Sequence, residues 1–285
     1  MSNHKLPGFS SLHVNLPTSL VTALKAHSAR TSESIDHTIQ RALAQALDVE
    51  HHTIYQVSTS TALVQGVYQG CVTIADLKTH GDFGLGTYDA LDGEGLMLEG
   101  QVWQALSDGT VSKPDDSSTT PFWVCTTFEA DKTQTLAEVS SWEDLLVQLD
   151  TMRDSQNLFV AFRIDGHFDE VHYRVACKAS PGTDLVTATS HQAEFTLTSC
   201  DGTLMGFWSP TYAKTLNVPG YHLHLLSADR KRGGHVLGFK ARNLKVQAMN
   251  ANNVVIALPE SPAFLEADLS NDPTAALSKA EGAKP

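Results

Sequence analysis

The stretch Tyr221-His-Leu-His-Leu-Leu-Ser-Ala-Asp-Arg-Lys-Arg-Gly-Gly-His-Val-Leu-Gly-Phe239 has the pattern of a β-hairpin. Two apolar runs flank a polar turn that ends in a pair of glycines, and this arrangement predicts two antiparallel strands. Side chains two positions apart on a strand point to the same face, so His222 and His224 share one face of the hairpin.

A third histidine is expected on that face. If residue 228 pairs with residue 233, residue 226 faces His235, which then lies diagonal to His224. A His-x-His pair alone is also common on exposed strands, but the spacing to His235 favours a metal site. Neutral imidazoles suit zinc best among the common metals, and three protein ligands leave one coordination position open, as in catalytic sites. The sequence therefore predicts Zn²⁺ bound by His222, His224 and His235.

The composition limits the classes of partner. The 285 residues carry 32 acidic and 20 basic side chains, a net charge of −12. This sign is unfavourable for nucleic acids and anionic membranes, so we expect a small-molecule substrate. Residues 1–7 lack the apolar segment of a secretory signal, which favours a cytoplasmic location. The four cysteines show no CxxC spacing and are expected to be reduced thiols.

The remaining chain predicts an α+β fold. Four Asp-Gly pairs lie between alternating apolar stretches and predict hairpin turns in mixed and antiparallel β-sheets. They are Asp92-Gly93, Asp108-Gly109, Asp165-Gly166 and Asp201-Gly202. A few helices are expected, one of them amphipathic over 136–149. We predict two packed parts, a mixed α/β part over 51–180 and a β-rich part over 181–285 that carries the histidines.

Residues 1–50 form a small strand-helix-helix unit before these two parts. The predicted strand is Ser11–Leu16, and the helices run from Pro17 to about residue 27 and over Ser32–Leu47. This order resembles the ribbon-helix-helix modules of bacterial repressors, in which two chains pair their strands. Such modules read DNA with outward strand side chains, here Ser11, His13 and Asn15, but the segment has no basic stripe. We predict a dimerisation arm, with DNA binding as the alternative.

Motifs from about Tyr55 to the C-terminus resemble the alpha-acetolactate decarboxylase family. They are, in order, His80-Gly-Asp-Phe-Gly-Leu-Gly-Thr87, Leu91-Asp-Gly-Glu94, Asn157-Leu-Phe159, Arg163-Ile-Asp-Gly166, Gly220-Tyr-His-Leu-His224 and Gly233-Gly-His235. The resemblance implies a zinc-dependent carboxy-lyase. It would convert 2-acetolactate into acetoin and carbon dioxide through a metal-stabilised enediolate, typically as a homodimer, with no organic cofactor.

The resemblance also implies the roles of individual residues. His222, His224 and His235 match the zinc ligands of the family. The catalytic set that it implies is Thr87, Glu94, Arg174 and Glu281. Arg174 would orient the departing carboxylate with its fork of N–H donors, and either Arg174 or Glu94 would supply the final proton.

Two other functions fit the same residues. A zinc-dependent hydrolase would use Glu94 or Glu281 as the general base for a zinc-bound water. A non-catalytic, metal-stabilised binding protein would bind DNA or a protein partner through residues 1–50. In that protein a fourth side chain would complete the metal shell, as in structural zinc sites.

Overall fold

The computed structural model describes residues 12–47, 49, 51–180 and 182–281. The strands are β1 (Thr53–Val57), β2 (Val72–Thr73), β3 (Phe83–Thr87), β4 (Glu94–Leu98), β5 (Gln101–Ala105), β6 (Val111–Ser112), β7 (Thr119–Thr120), β8 (Phe122–Thr126), β9 (Lys132–Val139), β10 (Phe159–Val175), β11 (Ala193–Ser209), β12 (Gly220–Ser227), β13 (Gly233–Ala251) and β14 (Asn253–Ala257). The helices are α1 (Thr18–Thr31), α2 (Ile35–Leu47), α3 (Ser60–Val64), α4 (Ile74–Leu77), α5 (Trp142–Asp150), α6 (Leu185–Thr189), α7 (Pro262–Glu266) and α8 (Thr274–Ala280). The α+β prediction is confirmed.

Two large sheets make up the body of the protein. The first has seven strands in the order β14-β1-β8-β3-β4-β5-β6, mixed because β14 runs parallel to β1. The second has the order β10-β11-β12-β13-β9, with every pairing antiparallel. A further pairing of β10 with β13 closes a ring of four strands in this sheet. Strand β4 contacts β13 and β3 contacts β11, so the sheets meet there.

The two sheets do not follow the division of the chain expected at about residue 180. Strands β9 and β10 precede that point but belong to the five-stranded sheet, whereas β14 follows it and joins the seven-stranded sheet. A parallel neighbour for β1 has to come from a distant part of the sequence, because parallel strands need a long connection. The chain therefore crosses between the sheets more than once.

Two of the four predicted Asp-Gly turns are wrong. Asp108-Gly109 turns between β5 and β6, and Asp92-Gly93 ends the connection from β3 to β4. Gly166 and Gly202 instead face each other inside the long strands β10 and β11. A Cβ on Gly166 would lie 2.7 Å from Leu244, and one on Gly202 would lie 2.8 Å from a backbone oxygen of β12. These glycines permit close approach of neighbouring strands, a recognised use of glycine inside sheets.

The helix predicted over 136–149 is correct only in its second half. Residues 132–139 form β9, paired with β13, and helix α5 follows after a break. Ser141 marks that break, because its hydroxyl accepts a hydrogen bond from the backbone N–H of Asp144 and so caps the helix. Leu136 and Val139 have helical spacing in sequence, yet both are buried as strand residues.

The N-terminal unit contains the two predicted helices, α1 and α2. Residues 12–17 have no regular secondary structure, so the strand predicted over 11–16 is not present in its described part, and Ser11 lies outside the described residues. Neither helix has a buried residue. Among the described residues no helix combines the length and hydropathy needed to cross a membrane.

Candidate active site

The three predicted ligands lie on the β12–β13 hairpin. His224 pairs directly with His235, because Leu226 pairs with Gly233 and a longer turn connects the strands. The predicted register, with residue 226 opposite His235, is therefore wrong by two residues. Hydrogen bonds from the backbone N–H groups of Lys231 and Arg232 to the Ser227 hydroxyl stabilise this longer turn. A shift of two residues keeps the same face of each strand, so the histidines still converge.

The imidazoles form a compact, buried cluster. One ring nitrogen from each of the three histidines lies within 4.8 Å of the others, and the Nε2 atoms of His222 and His224 are 3.1 Å apart. His224 is 1% and His235 5% exposed. The Nδ1 atom of His224 lies 3.1 Å from the Gly95 carbonyl oxygen. A carbonyl only accepts, so Nδ1 carries the hydrogen and Nε2 presents a lone pair to the cluster.

The electrostatic environment keeps these rings neutral. Burial lowers the pKa of His222 to about 3, and the nearby Arg174 cation acts in the same direction. Burial also places the pKa of His224 and that of His235 well below the usual value. Three neutral imidazole nitrogens this close together are a suitable ligand set for a metal ion. The cluster could therefore bind a metal.

Two glutamates border the imidazoles. Glu94, at the start of β4, accepts a hydrogen bond from the Ala176 N–H at 3.0 Å, and its other oxygen lies 3.6 Å from His224 Nε2. Glu281, directly after α8, lies 3.4 Å from a ring nitrogen of His235 and 3.8 Å from one of His222. Both carboxyl groups therefore reach the edge of the candidate metal site.

Burial dominates the charge state of both glutamates. It raises the pKa of Glu94 to about 7, although the Arg174 cation and the Ala176 N–H oppose the shift. It also raises the pKa of Glu281, again against the Arg174 cation. An apolar environment disfavours the charged form of a carboxyl group, so each side chain holds a proton more readily than in water.

Arg174 lies on β10 between its two neighbouring strands, opposite Glu194 of β11 and His235 of β13. It is 3% exposed. Its Nη1 donates to the Gln192 Oε1 at 2.6 Å, and its Nη2 lies 3.3 Å from Glu281. The guanidinium therefore provides a fixed positive charge beside the imidazoles.

Thr87 lies at the end of β3, in register with Glu94. It is buried, and its hydroxyl donates to the Gly93 carbonyl oxygen at 2.7 Å. This bond ties the two ends of the β3–β4 connection together. In this arrangement Thr87 fixes the backbone just before Glu94. Its hydroxyl hydrogen is already donated to the Gly93 carbonyl oxygen.

These side chains surround one cavity of about 50 Å³. All seven predicted site residues line it: Thr87, Glu94, Arg174, His222, His224, His235 and Glu281. Its apolar wall includes Leu63, Leu91 and Val218. The structure thus brings together residues that are up to 194 positions apart in the chain, from Thr87 to Glu281.

Gln192 and the backbone of Gly95 are parts of the site that the sequence did not reveal. Gln192 holds Arg174, and the Gly95 carbonyl orients His224. Glycine is needed at position 95 because the Trp123 ring packs against it, 2.1 Å from where a Cβ atom would be. The hairpin pattern around Asp92-Gly93 could have directed attention to β4, whereas nothing in the local pattern marks Gln192.

Comparison with known proteins identifies the family. The sequence profile described as alpha-acetolactate decarboxylase matches residues 54–271. This chain belongs to the alpha-acetolactate decarboxylase family. The resemblance seen in the sequence motifs is thereby confirmed. Residues 12–49 and Glu281 lie outside the matched part.

Relatives from archaea and bacteria match most of the chain. The alpha-acetolactate decarboxylase of Methanosarcina mazei is 40% identical over 250 residues, which cover 87% of this chain and 85% of the relative. That of Raoultella terrigena is 40% identical over 226 residues, covering 78% and 87%. The crystal structure of the Bacillus subtilis strain 168 family member superposes with a TM-score of 0.78 at 35% identity, covering 81% of this chain and all of that one.

Proposed function

We propose that this protein decarboxylates 2-acetolactate to acetoin and carbon dioxide, with Zn²⁺ held by His222, His224 and His235. The observation that carries the proposal is the convergence, in one buried cavity, of three neutral imidazoles, a guanidinium and two carboxyl groups. Membership of the family supports the same reaction.

The reaction breaks the bond between the carboxylate carbon and the carbon that carries the hydroxyl. The bonding electron pair passes to the neighbouring ketone, carbon dioxide leaves, and a proton then returns to carbon to give acetoin. When bound, Zn²⁺ would supply Lewis acidity toward the ketone and hydroxyl oxygens of the substrate. Because the substrate contains its own electron sink, the reaction needs no organic cofactor.

Residues of the chain bind and orient the substrate. Arg174 offers N–H donors to the substrate carboxylate. It would orient this group for cleavage of the bond that joins it to the carbon with the hydroxyl. Leu63, Leu91 and Val218 give the cavity an apolar wall that excludes water. Removing water strengthens the attraction between the guanidinium and the carboxylate.

Glu94 would return the proton to carbon. Its Oε1 is occupied by the Ala176 N–H, which leaves Oε2, the oxygen nearer to His224, to carry the proton. Arg174 is a poorer donor because a guanidinium stays protonated up to a pKa of about 12 or more. We propose that Thr87 positions the β3–β4 connection. Glu281 would act through its contacts with Arg174 and the imidazoles.

Metal analysis followed by an activity assay tests the proposal. The purified protein should contain about one zinc per chain, and should release acetoin and carbon dioxide from racemic acetolactate until a chelator removes the metal. Hydrolysis of esters or amides without acetoin formation would instead favour the hydrolase. Bound metal without any turnover would favour the non-catalytic protein.

We further propose that residues 12–49 contribute to a homodimer. Seven large apolar side chains are exposed in this segment: Leu12, Val14, Leu16, Leu20, Leu43, Leu47 and Val49. The segment has three basic and three acidic residues, whereas the whole chain has a net charge of −12. Two copies of this segment can therefore approach each other without net charge repulsion. The segment also offers no basic surface to which a nucleic acid could bind. The cytoplasmic location stays a prediction.

A further inference from the structure

We propose that Gln192 is a positioning residue for the decarboxylation. It would turn the Arg174 guanidinium so that one fixed edge faces the substrate carboxylate. Gln192 does not line the cavity, so it would act only through Arg174. The inference rests on the proposed function and assigns to that site a residue outside the predicted set.

The guanidinium of Arg174 is held tightly at Nη1, whereas its Nε–Nη2 edge has a single, longer contact among the described residues. Its Nη1 donates to the Gln192 Oε1 at 2.6 Å, the shorter of its two hydrogen bonds. Its Nη2 has only the longer contact of 3.3 Å to Glu281, and its buried Nε has no partner among the described residues. Nε and Nη2 form one side of the planar fork, and a carboxylate binds such a side through two parallel hydrogen bonds.

The Gln192 amide can take only one orientation here. Its Nε2 donates at 3.0 Å to Glu194, whose other oxygen pairs with His172 at 3.2 Å. A carboxylate only accepts hydrogen bonds and a guanidinium only donates them. The amide nitrogen must therefore face Glu194, and the amide oxygen must face Arg174. The backbone of Gln192 is anchored as well, by its N–H to the Thr189 carbonyl at 3.2 Å.

A neutral amide suits this position better than a carboxylate would. Glutamate in place of Gln192 would form an ion pair with Arg174 and compete with the substrate for the guanidinium charge. It would also place two like charges together, because Glu194 lies within hydrogen-bonding distance. The amide orients the guanidinium and leaves its charge for the carboxylate of the substrate.

Two substitutions and a matched control test this role. Gln192→Leu removes the hydrogen bond, and Gln192→Glu keeps the length of the side chain but adds a charge. Gln134→Leu makes the same change at an exposed position on β9, and should behave as the parent. Zinc content should stay unchanged in all three, and Gln134→Leu should keep the parental melting temperature. If Gln192→Leu does not fold, Gln192→Glu carries the test.

We expect Gln192→Leu to lower kcat/KM about ten- to hundredfold, the usual effect of losing one hydrogen bond to a charged group. Gln192→Glu should mainly raise KM. The decisive readout is inhibition by two ligands: a substrate analogue whose ketone is reduced to an alcohol, which keeps the carboxylate, and acetoin, which lacks it. Both substitutions should weaken inhibition by the carboxylate analogue and leave inhibition by acetoin unchanged.

Each outcome bears on the inference. Parental kcat/KM in Gln192→Leu would overturn it, as would equal weakening of both inhibitors, which would indicate general disorder of the site. If the parent does not decarboxylate acetolactate, the proposed function fails. Calorimetric binding of the carboxylate analogue to parent and Gln192→Leu then decides the role of Gln192, and absence of binding to the parent overturns both proposals.

Discussion

Replacing Arg174 by lysine tests how the substrate carboxylate is held. Arg174 is 3% exposed, and its guanidinium already has one nitrogen fixed by Gln192. Lysine keeps the charge but presents a single ammonium in place of the planar fork. A hydrogen bond to a charged group contributes about 1.5–3 kcal/mol. Losing one in the transition state should therefore lower kcat about ten- to hundredfold, since each ~1.4 kcal/mol is a factor of ten.

The assay is steady-state acetoin formation from racemic acetolactate, with zinc measured by mass spectrometry on the same samples. Zinc content should match the parent because Arg174 is not one of the three proposed ligands. Arg242→Lys is the matched control, since Arg242 is exposed and pairs with Asp169 through two contacts of 2.9 and 3.1 Å. Turnover at the parental rate in Arg174→Lys would refute the assignment of Arg174 to the carboxylate.

Three further predictions concern the metal, the fold and the arm. His224→Ala should lose both zinc and turnover, because two imidazoles bind the ion poorly; retention of about one zinc per chain would contradict its role as a ligand. Gly95→Ala should lower the melting temperature, because the new methyl would lie 2.1 Å from the Trp123 ring and overpacking costs about 1–3 kcal/mol. An unchanged melting curve would show that the ring can move. Removing residues 1–50 should weaken self-association in light scattering while the intrinsic decarboxylation rate is kept, since the described strands of both sheets all lie after residue 50. An oligomer of unchanged mass would exclude the arm as its interface.

The imidazole cluster could be predicted because its geometry is local. Two histidines on one strand and a third across a single hairpin are related by the two-residue period of a strand. The error in register did not matter, since the turn shifted by an even number of residues and the face was kept. The remaining site residues came from the family resemblance, because no local pattern connects Glu94, Arg174 and Glu281.

The path of the chain between the sheets could not be predicted in the same way. Asp165-Gly166 and Asp201-Gly202 have the composition of hairpin turns, but both lie inside strands of 17 residues. Their glycines are required by contacts with β12 and β13, and such contacts depend on the tertiary structure. Gln192 escaped notice for the same reason, because its partners are brought together only by the pairing of β10 with β11.

The charges in the cavity explain why these side chains occur together. One guanidinium faces two carboxyl groups, and burial raises the pKa of both Glu94 and Glu281. Moving two carboxylates out of water beside a single cation is unfavourable, and a divalent ion on the neutral imidazoles would offset that cost. With such an ion, an ionised Glu281 and the protonated Glu94 that the proposed reaction needs, these groups would carry two positive charges in excess, and the carboxylate of the substrate would neutralise one of them. A carboxylate in place of Gln192 would cancel one of these charges beside Arg174, and would weaken the attraction for the substrate.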